Sequence, residues 1–229
     1  MINKIIIAID GHSSTGKSTV AKQLAKAIGY TYVDTGAMYR SVAFYAMQNN
    51  IITTTLNTQA LIESLPNIEL RFVKNETNNV FEATLNSVNV EKEIRTLEVS
   101  NWVSKVAAIP EVRKKLAEQQ QEMGKSKGLV MDGRDIGTVV FPDAELKLFM
   151  TASAKVRAQR RFDEMIAKGE DVSFDAVFKN VVERDQEDST RKESPLIQAE
   201  DAVLIDNSNL TREAQFELIL ELVDKKVKE

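Results

Sequence analysis

An α/β fold, a parallel sheet flanked by helices, is the class this sequence predicts, and three observations carry it. Short apolar runs recur, each followed by a polar or glycine-bearing stretch: IIIAI (Ile5–Ile9), LVMD (Leu129–Asp132), LKLFM (Leu146–Met150) and VLID (Val203–Asp206). Runs of this kind suit strands covered on both faces, where neither side meets water. Between them apolar residues recur at helical spacing, and strands that alternate with helices assemble into a parallel sheet. With 229 residues, 43% apolar and 28% charged, the chain can bury one sizeable core, so residues 1–229 are read as a single domain.

The elements follow in order. The first strand ends at Asp10-Gly11, and a helix starts at about Lys17, with Val20, Ala21, Leu24, Ala25 and Ile28 on one face and Gly29 in the C-cap position. Tyr30 to Val33 reads as a second strand, with a helix from about Ala37. From Ile68 to Val90 the rhythm changes. IELRFV and VFEATL alternate apolar and polar residues around KNETNN, a cluster of turn formers, which predicts a small antiparallel hairpin or meander inserted into the α/β body. Residues 154–191 read as helical and highly charged. Phe216, Ile219, Leu220, Val223 and Val227 mark a last amphipathic helix packed on the sheet.

Composition excludes several classes of function. The absence of cysteine removes disulfides, thiol catalysis and zinc-thiolate sites, and it fits a reducing compartment. His12, the single histidine, leaves no polyhistidine metal site. A net charge of -4 gives no footprint for a nucleic-acid polymer. No stretch reaches the roughly 20 apolar residues of a membrane span, and IIIAI is too short for a signal segment. A cytoplasmic protein is expected, and the lack of a coiled-coil pattern or apolar surface stripe points to a monomer.

The chemistry begins at GHSSTGKS, Gly11 to Ser18, which matches G-x-x-x-x-G-K-[ST] and lies between a predicted strand and a predicted helix, the context that a phosphate-binding P-loop requires. Gly11, His12, Ser13, Ser14, Thr15, Gly16, Lys17, Ser18 and Thr19 are therefore expected to hold a nucleoside triphosphate, which the resemblance named below makes ATP. Lys17 is assigned to the β- and γ-phosphates and Ser18 to Mg²⁺. The helix dipole and its unpaired N–H groups favour the same negative charge. His12 is read as a polar spacer or packing residue. Such a loop by itself specifies only a nucleoside triphosphate.

Three further stretches narrow the reading. DTGAMYR (Asp34 to Arg40) follows the second strand, and in a parallel sheet it should face the same crevice as the P-loop. Thr35 and Arg40 are then placed to hold a second, acceptor phosphate, one as hydroxyl donor and the other as bidentate fork. MDGRDIG (Met131 to Gly137) adds Arg134 and Asp135 at the same edge, with a structural ion pair as the competing reading. Residues 154–191 carry eight Lys/Arg and nine Asp/Glu, among them Arg157, Arg160, Arg161, Arg184 and Arg191. That balance suits a mobile cover that brings a few arginines over transferring phosphates and excludes water. Phosphoryl transfer needs positioning and charge stabilisation, so the lack of histidine and cysteine costs nothing. A GTPase would need N-K-x-D, and the only Asn-Lys is Asn3-Lys4, with no aspartate in place.

Taken together, GHSSTGKST, DTGAMYR, NWVSKVAAIPEVR, MDGRDIGTVVFPDA and ERDQEDSTR, in this order from Gly11 to Arg191, resemble the bacterial cytidylate kinases. These are P-loop nucleoside monophosphate kinases that transfer phosphate from ATP to CMP or dCMP. The resemblance implies an acceptor-binding region at about 37–128 that contains the β insert, and a helical lid at about 155–195. It implies that Thr35, Arg40 and Arg134 hold the CMP phosphate with Arg191 from the lid, that Ser104, Arg113 and Asp135 recognise cytosine, and that Asp188 and Arg184 contact the sugar. Lys17, Arg134, Arg184 and Arg191 become the catalytic set, and Arg157 and Arg160 lie with ATP. Tyr39 either lines the sugar pocket or packs, and Trp102 is read as a packing anchor. The chain departs from the family, which often has Pro at the His12 position, Gly at Ser14 and Ser at Thr35. The last exchange keeps the hydroxyl, and the first two bear on loop stiffness and ATP affinity.

Overall fold

The structure, a computed structural model, describes residues 4–75 and 81–228. The elements run β1 (Ile6–Gly11), α1 (Lys17–Ile28), β2 (Thr31–Asp34), α2 (Thr35–Gln48), α3 (Thr58–Ser64), β3 (Leu70–Lys74), β4 (Phe81–Leu85), β5 (Val88–Asn89), α4 (Leu97–Ala107) and α5 (Pro110–Gly124). They continue through β6 (Leu129–Gly133), β7 (Leu146–Thr151), α6 (Ala154–Ala167), α7 (Phe174–Thr190), β8 (Val203–Asp206) and α8 (Arg212–Lys228). The chain falls into two compact units, one drawn from residues up to Val33 and from Gln120 onward, the other from Asp34 to Gln119.

The first unit is built on a five-stranded sheet in the order β2-β6-β1-β7-β8, with β1 parallel to both β6 and β7 and β7 parallel to β8. Every residue of β1 is buried, as its unbroken apolar run requires at the centre of such a sheet. Ile7, Ile9, Val130 and Leu148 of the sheet share one core with Val20 and Leu24 of α1 and with Ile219 and Val223 of α8. The VLID run behaves differently. As the edge strand β8 it buries Ile205 but leaves Leu204 55% exposed, because sheet covers it on one side only.

Two glycines are needed where they stand. Gly29 ends α1 in the left-handed conformation, φ +70°, and its N–H closes on the Ala25 carbonyl. Gly11 has φ +148°, and a Cβ there would collide with the Met150 carbonyl of β7. The P-loop leaves the sheet at this point, and no larger residue passes β7.

The structure corrects the start of the second helix. α2 begins at Thr35 and not near Ala37, because Asp34 is its N-cap and accepts the Ala37 N–H at 3.0 Å. The DTGAMYR stretch is therefore the helix terminus itself. Residues 154–191 form two helices, α6 and α7, parted at Gly169 (φ +79°) and restarted at the Ser173 cap, whose hydroxyl accepts the Ala176 N–H. Phe174 contacts both Phe162 and Phe178, with ring centroids 6.0 Å apart in each pair, and joins the two helices.

The second unit holds α2, α3, most of α5 and the insert. β3, β4 and β5 form an antiparallel meander in which Leu70 pairs with Leu85 and Phe72 with Ala83. The alternation holds only in part: Leu70, Ala83 and Leu85 are buried and Val73 is exposed, but Phe81, on the face of Ala83 and Leu85, is exposed and Thr84 is buried. Within the turn cluster and the start of VFEATL, residues 76–80 lie outside the described residues. Helices α3, α4 and α5 were not anticipated. Their signals are local, an Asn57 cap, a Thr96 cap with Val99, Val103 and Val106 buried behind it, and Pro110 at a helix start. Among the described residues no helix is long and apolar enough to cross a membrane.

Candidate active site

The P-loop closes around one backbone oxygen. Lys17 Nζ donates to the His12 carbonyl at 2.9 Å and Thr15 Oγ1 donates to it at 3.1 Å, with Lys17 only 6% exposed. Gly16 (φ +85°) and Ser14 (φ +59°) make the turn. Ser14 thus takes a conformation that costs a side-chain-bearing residue roughly 1 kcal/mol and costs glycine nothing. Thr19, one residue beyond Ser18, is exposed on α1.

Ser18 Oγ donates to Asp132 Oδ2 at 2.7 Å, and Tyr32 OH donates to Asp132 Oδ1 at 2.7 Å. Asp132 belongs to β6, in register with Ile9 of β1. Sequence reading missed it, although an apolar strand that ends in aspartate beside a P-loop was a usable signal. A hydroxyl and a carboxylate side by side are the hard oxygen donors that Mg²⁺ accepts, with phosphate and water completing its shell. The residues present therefore fit Mg²⁺.

Asp10 was also missed. Its carboxylate accepts the N–H groups of Ile136 and Gly137 at 2.8 and 2.7 Å, which pins the π-helical turn Ile136–Val140 that follows Asp135. Burial pushes its carboxyl up to about 7, against the pull of those N–H groups and of Lys17. Asn207, just after β8, is a third. Its amide donates to the Thr15 carbonyl at 2.6 Å, while Arg160 donates to its side-chain oxygen and its carbonyl, both at 3.0 Å. Arg157, 3% exposed, donates to the Ala152 carbonyl at 2.8 Å and the Ser13 carbonyl at 3.3 Å, and it pairs with Asp185. Arg157 thus braces the P-loop backbone directly, and Arg160 does so through Asn207.

A second cluster gathers five of the expected site residues. Arg134 Nε donates to Asp188 Oδ2 at 2.7 Å, so the ion pair read for Arg134 joins it to Asp188 and not to its neighbour Asp135. Arg191 stands 3.9 Å from both Asp135 Oδ1 and Asp188 Oδ1, and its Nε donates to the Ser194 carbonyl at 2.8 Å. Burial opposes the charge on Asp188, but Arg134 and Arg184 outweigh it and hold the carboxyl well below the ordinary aspartate value. Burial and the nearby Arg134 together bring Arg184 down to about 10. Asp132 and Asp185 also act on Arg134, so the three arginines stand among four carboxylates.

In the second unit, Thr35 and Arg40 are buried in the first two turns of α2, and Arg40 Nη1 donates to the Ile94 carbonyl at 3.2 Å. The Arg113 guanidinium lies 5.4 Å from the centre of the Tyr39 ring and donates to the Ala107 carbonyl at 3.1 Å, so these two expected residues meet. Ser104 is buried on α4, and Trp102 is half-buried with Lys105 Nζ 4.6 Å from its ring centre.

Asp34 holds Arg95 at 2.8 Å as well as capping α2. Burial opposes its charge, but Arg95 first, then the Ala37 N–H and Arg40, hold its carboxyl at about 2. A depressed folded value stabilises fully above the ordinary 3.8, and the contribution is lost as pH falls towards about 2. The shift corresponds to about 2 kcal/mol. Asp34→Asn keeps the cap and loses the charge. Its deficit in urea midpoint against the wild type is expected to shrink between about pH 5 and about pH 3. A deficit that does not change with pH would show that the Asp34 charge is not what stabilises the fold.

A parallel sheet whose central strand runs into a P-loop, with a carboxylate from the next strand bonded to the loop serine, defines a P-loop nucleotide-binding protein. The sequence matches the cytidylate kinase family over residues 7–225, and the chain belongs to that family. It is 64% identical over 228 residues to the cytidylate kinase of Flavobacterium johnsoniae, covering 99% of each chain. Against the cytidylate kinase of Parabacteroides distasonis it is 56% identical over 227 residues, again covering 99% of each. Among solved structures, an uncharacterized protein from Eubacterium ventriosum superposes with a TM-score of 0.50 at 12% identity, covering 97% of this chain and 99% of the other, a likeness of fold alone.

Proposed function

We propose that this protein transfers the γ-phosphate of ATP to CMP or dCMP, giving CDP or dCDP and ADP, as a cytoplasmic monomer. The observation that carries the reading is the likeness to cytidylate kinases along the whole chain. The P-loop hydrogen bonds and the Arg134–Asp188 cluster support it chemically.

In this reading Gly11 to Thr19 wrap the phosphates of ATP, and Lys17 leaves the His12 carbonyl for the β- and γ-phosphate oxygens. Arg157 and Arg160 hold the loop in shape beside the nucleotide. Ser18 and Asp132 hold Mg²⁺, which when bound neutralises phosphate charge. Thr35, Arg40, Arg134 and Arg191 hold the acceptor phosphate. Asp135 accepts from the cytosine amino group while Arg113 and Ser104 donate to its ring nitrogen and carbonyl. Arg184 and Asp188 take the sugar, with Tyr39 beside it. An oxygen of the acceptor phosphate attacks the γ-phosphorus in line as ADP departs, and the arginines stabilise the charge spread over the transferred group. Residues at about 37–128 form the acceptor-binding region, and those at about 155–195 the lid that excludes water.

The test is ADP formation from Mg²⁺·ATP with CMP, dCMP, UMP, AMP, GMP or shikimate at matched concentrations. CMP and dCMP are expected to turn over fast and UMP weakly, because uracil reverses the donor and acceptor pattern that the base site offers. Faster turnover of AMP, GMP or shikimate would remove Ser104, Arg113 and Asp135 from base recognition.

A further inference from the structure

One ion pair grips two consecutive residues of the P-loop. Asp185 of α7 forms a bidentate pair with Arg157 of α6, at 2.9 Å to Nη1 and 2.5 Å to Nη2. Arg157 Nη1 also donates to the Ser13 carbonyl at 3.3 Å, and His12 Nδ1 stands 3.2 Å from Asp185 Oδ1. That last approach is within ion-pair range, though bent from hydrogen-bond geometry. Burial works against the Asp185 charge, and His12 and Arg157 outweigh it to hold the carboxyl below its ordinary value.

His12 is thus engaged on two sides. Its carbonyl holds Lys17 Nζ, the ammonium that turns to the phosphates when ATP arrives, and its ring meets α7. Beside Asp185 on that helix lie Arg184 and, almost a turn further on, Asp188, which binds Arg134. We propose that His12 is a positioning residue that couples the two nucleotides: by tying the P-loop to Asp185, it makes ATP on the loop and CMP at Arg184 and Asp188 bind cooperatively. The inference rests on the proposed placement of both nucleotides. A ligand that orders one end of a shared contact lowers the cost of ordering the other, and the effect is reciprocal.

The experiment measures CMP affinity by calorimetry with and without a saturating non-hydrolysable ATP analogue. Wild-type protein is expected to bind CMP roughly tenfold tighter with the analogue, a typical coupling. His12→Ala is expected to lose most of that gain, the Arg157 contact to the Ser13 carbonyl keeping the remainder, while its melting temperature stays near the wild-type value. His12→Asn, which places an amide N–H near the position of Nδ1, is expected to restore at least half of it, a recovery that a purely structural role would not produce. No gain in the wild type, an unchanged gain in His12→Ala, or no recovery in His12→Asn each overturns the proposal. A wild type that binds the analogue but not CMP overturns instead the reaction proposed above.

Discussion

Replacing Lys17 with alanine is expected to lower kcat for CMP phosphorylation by about 10²-fold or more, equivalent to about 3 kcal/mol of transition-state stabilisation. The ammonium is buried, so its charge acts across a weakly screening medium and is worth far more there than in water. Charge on the transferring group and on the departing ADP oxygen develops during the step. The loss should therefore fall more on kcat than on the KM for ATP. The fold should survive, because Lys17 is the first residue of α1 and alanine is the strongest helix former. Steady-state rates and a melting curve on the same preparation check both halves. A folded variant within about threefold of wild-type kcat would take Lys17 out of the phosphate site, since one preorganised donor is worth far more.

Replacing Asp188 with alanine is expected to destabilise the protein by about 3 to 5 kcal/mol and to weaken CMP binding. Asp188 is 4% exposed, and its carboxylate takes the Arg134 Nε–H at 2.7 Å while lying near Arg184 and Arg191. Removing it leaves cations buried without their counter-charge, which costs more than the pair itself is worth. Because the folded carboxyl is held below its ordinary 3.8, the wild-type advantage is fully present above that value and narrows as pH falls below it. Urea unfolding at neutral and acid pH, for the wild type and the variant, measures this. Equal midpoints at neutral pH would mean that water, and not Asp188, compensates the arginines.

The contrast between Lys17 and Asp188 marks how far the residues could be read in order. Lys17 was assignable because G-x-x-x-x-G-K-S is a local pattern, read between an apolar run and a helical face. The same holds for Gly29 as a helix stop and for the alternation that folds into β3 and β4. Asp34 as the cap of α2 is equally local, yet helical spacing alone starts that helix near Ala37, two residues late. VLID shows the limit of apolar runs. Its composition matches that of β6, and position at the sheet edge leaves Val203 and Leu204 exposed.

Partners distant in the chain were not legible. Arg134 has an aspartate next to it, yet its hydrogen bond goes to Asp188, 54 residues away. Arg157 reaches Asp185 across 28 residues, and Asn207 reaches the Thr15 carbonyl across 192. Local periodicity and loop chemistry were sufficient for the strands and the P-loop, since each depends on residues within a turn or two of one another, whereas the class of reaction needed the resemblance carried by five ordered motifs along the chain. Which carboxylate neutralises each arginine, and which side chains brace the loop, follows from the strand order β2-β6-β1-β7-β8 and the pairing of α6 with α7. Burial supplies the reason: once these charges leave water, the partner that folding brings within about 3 Å holds them, however far away it lies in the chain.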